Sequence, residues 1–240
     1  MFGLTMIPLG LVLITFLLIA REAPDQPSAK QWQDYFHVLK QRDAWLFCFF
    51  YSITFGGFVG MASFLPIFFH DQYGLGKVAT GDFVTLCVLA GSFFRPVGGW
   101  ISDRVGGIRV LQVLYFLIAS LFVVISLLLP FQYEIAVLFL VMSSLGLGNG
   151  AVFQLVPQRF REEIGMMTGI VGAAGGLGGF FLPSLLGVMK DTTGTYASGF
   201  IVLGVIVGAA LVTMGVIGRE WQTKLVVNRV RSTAEKEVLA

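Results

Sequence analysis

The chain has 240 residues, of which 56% are hydrophobic and only 12% charged, with a net charge of +2. Soluble domains carry about 25% charged residues, and a single core of this length cannot hide so much apolar surface. A bilayer is the natural solvent for such a chain, and so small a net charge gives no sign of a nucleic-acid partner.

The fold class that follows is an all-α integral membrane protein. A spanning helix needs about 20 mainly apolar residues. Seven stretches qualify: 1–20, 44–69, 78–100, 109–130, 135–157, 165–189 and 197–218. No Lys or Arg precedes the first, so it lacks the charged start of a signal peptide and reads as a spanning helix. Residues 21–43 are a polar connector with Pro24 and Pro27 and an amphipathic piece from Trp32 to Leu39. The six spans of 44–218 form one block, and 219–240 is a basic tail. Cys48 and Cys87 sit inside apolar runs without metal-ligand spacing, as small buried hydrophobes do.

Positive charges sort by side. Arg21, Lys30, Lys40, Arg42, Arg104, Arg109, Arg159, Arg161 and the tail cations fall on one side, and Lys77 and Lys190 on the other. The positive-inside rule then places 21–43 and the C-terminus in the cytoplasm, with the protein multi-pass in the cell (inner) membrane. The first helix would start outside, an awkward insertion that leads us to expect a missing N-terminal part.

Arg95 is the one charge expected well inside a span; Asp82 lies near a span end. Asp103 follows Arg95 by eight positions, which at about 1.5 Å per residue puts Arg95 about 12 Å from the surface. Half the hydrocarbon core is about 15 Å. A charge at that depth costs at least ~2.5 kcal/mol and belongs in the protein interior or a wet cavity. A guanidinium is a planar fork of donors suited to planar oxyanions. With no carboxylate expected at its depth, an anionic ligand is its natural partner; snorkelling to the interface or pairing with carbonyls is the alternative. Pro96 follows directly and frees a carbonyl one turn back.

Other spans place small and aromatic residues at the same level. Asn149 lies within the run Gly146, Leu147, Gly148, Asn149, Gly150, and Gly175 and Gly176 within Gly172–Gly179. Tyr51 is about 12 Å deep, and Phe55 lies one turn further on the same face. Substrate commonly binds a transporter near the midplane. The glycines serve either close helix packing, as in Gly172/Gly176 and Gly175/Gly179, or a pore lining. Tyr51 serves either substrate contact or the core, and Asn149 either a ligand or an interhelical hydrogen bond. No His/Glu/Cys constellation or serine triad stands at a membrane face, so neither an enzyme nor a cofactor or metal is expected.

Between the third and fourth spans stand Gly99, Asp103, Arg104, Gly106 and Arg109, a pattern that resembles the G-x-x-x-D-R-x-G-x-R loop of the major facilitator superfamily. There Asp is expected to accept from a helix end and pair with Arg, as a cytoplasmic latch. A second pattern is sharper. Gly146, Gly148, Asn149, Gly150, Phe153 and Pro157, then Gly169, Gly172, Ala173, Ala174, Gly175, Gly176, Gly178, Gly179, Phe180 and Pro183, resemble the nitrate/nitrite porter family, as does the run Arg95–Trp100. The resemblance covers about residues 40 to 218. It implies the C-terminal six-helix half of a major facilitator fold plus one preceding helix, with 21–43 as the central loop.

The resemblance further implies alternating-access transport of nitrate and nitrite, with Arg95 as this half's anion-binding arginine and Tyr51 and Phe55 as its aromatic wall. The glycines around Gly175 would lie on a helix that slides or bends. The family's other half, with its own arginine, has no counterpart here, so a missing half or a second copy is the expected partner. With no deep Asp, Glu or His expected, exchange is the simpler expectation than proton symport. The rivals are a facilitator-type carrier of another small anion, and a transport-incompetent fragment or one subunit of a split transporter.

Overall fold

The computed structural model describes residues 2–20, 32–161 and 163–238, with side chains over 6–20, 36–161 and 163–221. Every described element is a helix. The chain divides into two units, 1–36 and 37–240. The first holds α1 (Phe2–Ile19), an apolar helix with almost no polar face. It matches the first expected stretch, and the part with described side chains, Met6–Ile19, is shorter than the long helices that follow. Of the connector 21–43, residues 21–31 lie outside the described residues. The amphipathic piece is α2 (Trp32–Leu39), which falls across the division.

Six helices of 19 to 32 residues in the second unit are long and apolar enough to cross a membrane. The first is compound: α3 (Arg42–Tyr51), one π-helical turn (Ser52–Gly56) and α4 (Gly57–Tyr73). Then come α5 (Lys77–Val105), α6 (Gly107–Ile125), α7 (Phe131–Arg159), α8 (Ile164–Thr193) and α9 (Ala197–Val238). All six expected spans of 44–218 are present, with ends displaced by a few residues. The backbone of the basic tail continues α9 as helix as far as Val238. Gly106, at φ 99° and ψ 123°, breaks α5 from α6 in a conformation costly for any residue with a β-carbon.

α5 packs chiefly on α7, α6 on α9 and α7, and α8 on the π turn, α4 and α3. Glycine decides the first of these contacts. A β-carbon on Gly146 would lie 2.0 Å from Gly91 O, one on Gly98 2.0 Å from Leu147 O, and one on Gly150 2.1 Å from Arg95 O. The two backbones therefore touch directly, with no room for a single methyl group. Because Gly91 meets Gly146 and Arg95 meets Gly150, the two helices run parallel, as helices separated by one crossing should. Among lipid tails there is little hydrophobic drive between helices, and close van der Waals contact of this kind supplies the cohesion.

Elsewhere the core is aromatic. Phe64 and Phe68 meet Tyr196 and Phe200 edge-to-face, with centroids between 5.1 and 6.3 Å apart. Cys48 and Cys87 are buried and unpaired, as small hydrophobes.

Two polar ties fasten the compound helix, one at each end. Asp43 pairs with Arg159 at the end of α7. At the other end Lys190 Nζ donates to Asp71 Oδ2 at 2.8 Å and to the Tyr196 hydroxyl at 3.1 Å, and that hydroxyl donates to Asp71 at 3.0 Å. Burial pushes the Tyr196 hydroxyl up from its ordinary value, which keeps it a donor here. The pair is partly exposed, so it contributes about 0.2–1 kcal/mol and acts mainly on registry.

The glycine seam gives a direct test. Gly146→Ala forces a methyl group onto Gly91 O and should destabilise the protein by about 1–3 kcal/mol, read as a lower melting temperature in detergent. Gly208→Ala, with nothing within 4 Å of its β-carbon, should be neutral or stabilising by up to about 1 kcal/mol. Equal melting of the two variants would contradict the seam.

Candidate functional site

The site assembles where the π turn meets α5, α7 and α8. Tyr51 ends α3, and Phe55 lies within the π turn. Their rings stack at 5.1 Å with 3° between planes, so the one-face reading holds across the irregular turn. π turns are rare and concentrate at functional sites. Hydroxyl groups crowd onto the carbonyls around this one: Ser52 Oγ lies 2.8 Å from both Cys48 O and Ala174 O, Thr54 donates to Phe50 O at 3.3 Å, and Tyr115 donates to the same oxygen at 3.2 Å.

Arg95 projects from α5 toward these rings. Its Nη2 donates to the Tyr51 hydroxyl at 2.9 Å. Its guanidinium carbon lies 5.5 Å from the Phe55 centroid and 5.8 Å from that of Phe153. Phe153 meets Tyr51 edge-to-face at 4.7 Å. The guanidinium thus has aromatic faces on two sides, a favourable setting for a cation, and a phenol on a third. Among the described residues it has no carboxylate partner. Tyr51 is buried, whereas Arg95 is exposed. The charge therefore opens away from the unit's own core, with donors to spare.

α8 supplies the floor. A β-carbon on Gly175 would lie 2.6 Å from Tyr51 Cδ1 and 2.9 Å from Phe55 Cδ1. The absence of a side chain is what lets both rings lie flat there. Gly178 lies against Ser52, and Gly179 against Val59. Gly172 and Gly176 have nothing within 4 Å. The two glycine lines therefore differ: the one through Gly175 and Gly179 packs on the compound helix, and the one through Gly172 and Gly176 faces away. Gly176 is not brought to the rings.

Asn149 is 1% exposed, on the turn of α7 that meets the site. Gly148 sits under Thr54 and Gly150 under Arg95. Asn149 Oδ1 has no hydrogen-bond partner among the described residues, so the interhelical bond offered as its alternative role does not form through that atom.

The latch loop differs in its contacts from expectation. Arg104 lies over the Trp100 ring at 3.9 Å. Asp103, Arg104 and Arg109 are exposed, and Asp103 forms no ion pair among the described residues. Asp43 and Arg159 form an ion pair at this end. Gly99 faces Gly150 O at 3.8 Å from its β-carbon position, and Gly106 makes the break already described.

Sequence reasoning missed two groups. Phe153 is one turn past Asn149 on α7, and that spacing could have marked it as a site residue. Glu134 escaped because α7 begins at Phe131, earlier than the expected 135. It is fully buried, and neither carboxyl oxygen has a hydrogen-bond partner in the described structure. Like Asp82 it lies near a span end, in the first turn of α7. Gly150 is level with Arg95, so Glu134 is sixteen positions away along α7, about 24 Å.

The sequence profile of the Major Facilitator Superfamily matches residues 1–183. The nitrite extrusion protein of Bacillus subtilis (strain 168) is 34% identical over 201 residues, 82% of this chain and 49% of that protein. A probable nitrate/nitrite antiporter, NarK1, of Thermus thermophilus is 28% identical over 228 residues, 85% of this chain and 51% of its own. A probable nitrate/nitrite transporter, NarK2, of Mycobacterium tuberculosis (strain ATCC 25618 / H37Rv) is 38% identical over 149 residues, 61% of this chain and 38% of its own. The chain thus spans about half the length of the curated relatives it matches.

The floor of the site is testable through two adjacent glycines. Gly175→Ala should displace the Tyr51 and Phe55 rings and alter near-ultraviolet circular dichroism, with a loss of about 1–3 kcal/mol in stability. Gly176→Ala should leave both unchanged. Indistinguishable spectra would contradict the geometry described here.

Proposed function

This chain belongs to the Major Facilitator Superfamily, and on that premise we propose that it is half of a carrier for nitrate and nitrite. The observation that carries the reading is Arg95: a guanidinium in the middle of a span, unpaired by carboxylate, walled by Phe55 and Phe153 and held by Tyr51. Nitrate and nitrite are planar, with oxygens spaced to take two parallel N–H donors from one guanidinium. Arg95 gives one N–H to Tyr51 and keeps the others for the anion. Tyr51 accepts from Arg95, and its own proton is free to be donated to the same anion. The ring edges carry positive potential and exclude water, which strengthens each bond inside. Asn149 is a third polar contact at this level in the proposal, and Gly175 keeps the wall flat.

Arg95 faces outward from its own unit, and one arginine cannot enclose an anion. The proposal therefore includes a second six-helix half, from further sequence or another copy, rocking against this one in alternating access. The charge distribution orients the Arg159 end and the C-terminus to the cytoplasmic side of the cell membrane. With Glu134 about 24 Å from the arginine, the site itself holds only the anion, and exchange of nitrate for nitrite is the simplest cycle.

One fact favours a second reading, that the chain is a subunit or fragment without transport of its own: it spans 49% of the Bacillus protein. Vesicles containing the wild-type chain, Arg95→Ala and Tyr51→Phe separate the two. The carrier reading expects nitrate uptake that Arg95→Ala abolishes and Tyr51→Phe lowers about tenfold, the value of one charge-assisted hydrogen bond. Absence of uptake by the wild-type chain, with uptake appearing when a complementary half is supplied, supports the subunit reading.

A further inference from the structure

Ser52 begins the π turn, and its hydroxyl lies at equal distance, 2.8 Å, from Cys48 O on its own helix and from Ala174 O on α8. A hydroxyl carries one proton to donate, so it satisfies one carbonyl fully or both by halves. Its neighbours make that choice consequential. Tyr51 directly precedes Ser52 and accepts from Arg95. Gly175 directly follows Ala174 and is the floor beneath Tyr51 and Phe55.

Much of the surrounding contact between the π turn and α8 is backbone against backbone. A β-carbon on Gly178 would lie 2.6 Å from Ser52 O, and one on Gly56 would lie 2.7 Å from Gly178 Cα. Side chains key into it on either side: Tyr51 and Phe55 lie over Gly175, Val59 over Gly179, and Leu182 over Gly60. The ties across it are the Ser52 bond at mid-helix and the Asp71–Lys190 pair at the far end.

We propose that Ser52 is a positioning residue for the anion site, setting the register of α8 against the π turn. With the proton on Ala174 O, Gly175 is held under the stacked rings and Tyr51 is fixed where Arg95 reaches it. With the proton turned back to Cys48 O, that polar tie between α8 and the π turn is released, and Gly175 is held under the rings by packing alone. A serine donating to the carbonyl four positions back is an ordinary helix habit; the second acceptor on a neighbouring helix, beside the site, makes it a two-position catch. This inference rests on the anion reading of Arg95 only for its consequence to binding. The helix register is a separate quantity.

The test reads both quantities on the full chain in lipid nanodiscs: deuterium exchange of the Ala174–Gly179 amides, and equilibrium binding of nitrate. Ser52→Ala should speed exchange across this segment and weaken nitrate binding about three- to tenfold, the range of one neutral hydrogen bond. Ser52→Thr, which keeps the donor, should restore most of both. Unchanged exchange in Ser52→Ala, or a threonine variant that behaves like the alanine one, overturns the proposal. Faster exchange in Ser52→Ala, restored by threonine, supports the register role even if the wild-type chain binds no nitrate. That last result would remove the anion reading alone.

Discussion

A guanidinium in the middle of a membrane span has to be solvated by protein or ligand, because lipid offers no acceptor. Arg95 meets that constraint with a phenol oxygen and two aromatic faces. None of these neutralises its charge. What surrounds Arg95 is therefore a polarised site with an open valence, and each neighbouring helix contributes a feature that makes sense only beside it. α3 and the π turn bring a stacked phenol and phenyl, α7 a third ring, and α8 a floor without side chains.

Glycine does two different jobs in this arrangement. In the α5–α7 seam it brings backbones together at Gly91, Gly98, Gly146 and Gly150 so tightly that added methyl groups would overlap carbonyl oxygens. That pair is a rigid mount, and it fixes where Arg95 stands relative to Phe153. Between α8 and the compound helix glycine instead receives side chains, Tyr51 and Phe55 at Gly175 and Val59 at Gly179, beside the Ser52 bond. In the register proposal, a fixed arginine beside a helix that changes register is the kind of arrangement from which a carrier's two states can be made.

Much of this was legible in the sequence. That Arg95, Tyr51, Asn149 and Gly175 come to one level could be read from rise per residue, because a span has known length and one axis. The family resemblance, carried by the glycine runs of α7 and α8, is borne out by the comparisons. Side-chain direction was less legible. Gly175 and Gly176 are adjacent, and only packing decides which one meets the rings. The π turn left no mark in the hydropathy pattern, since one additional residue in a turn does not alter composition. Glu134 was lost to a helix boundary a few residues off. The Asp43–Arg159 and Asp71–Lys190 ties join residues more than a hundred positions apart, and no local pattern announces such pairs.

The claim on which the rest stands is that Arg95 binds a small planar anion. Calorimetric titration of nitrate and nitrite into the purified chain, wild type against Arg95→Lys, tests it most directly, since lysine keeps the charge and removes the planar fork. The account predicts saturable binding by the wild type that weakens at least about tenfold, or 1.4 kcal/mol, in the lysine variant. Equal affinity in both would show that the guanidinium geometry plays no part and would contradict the account.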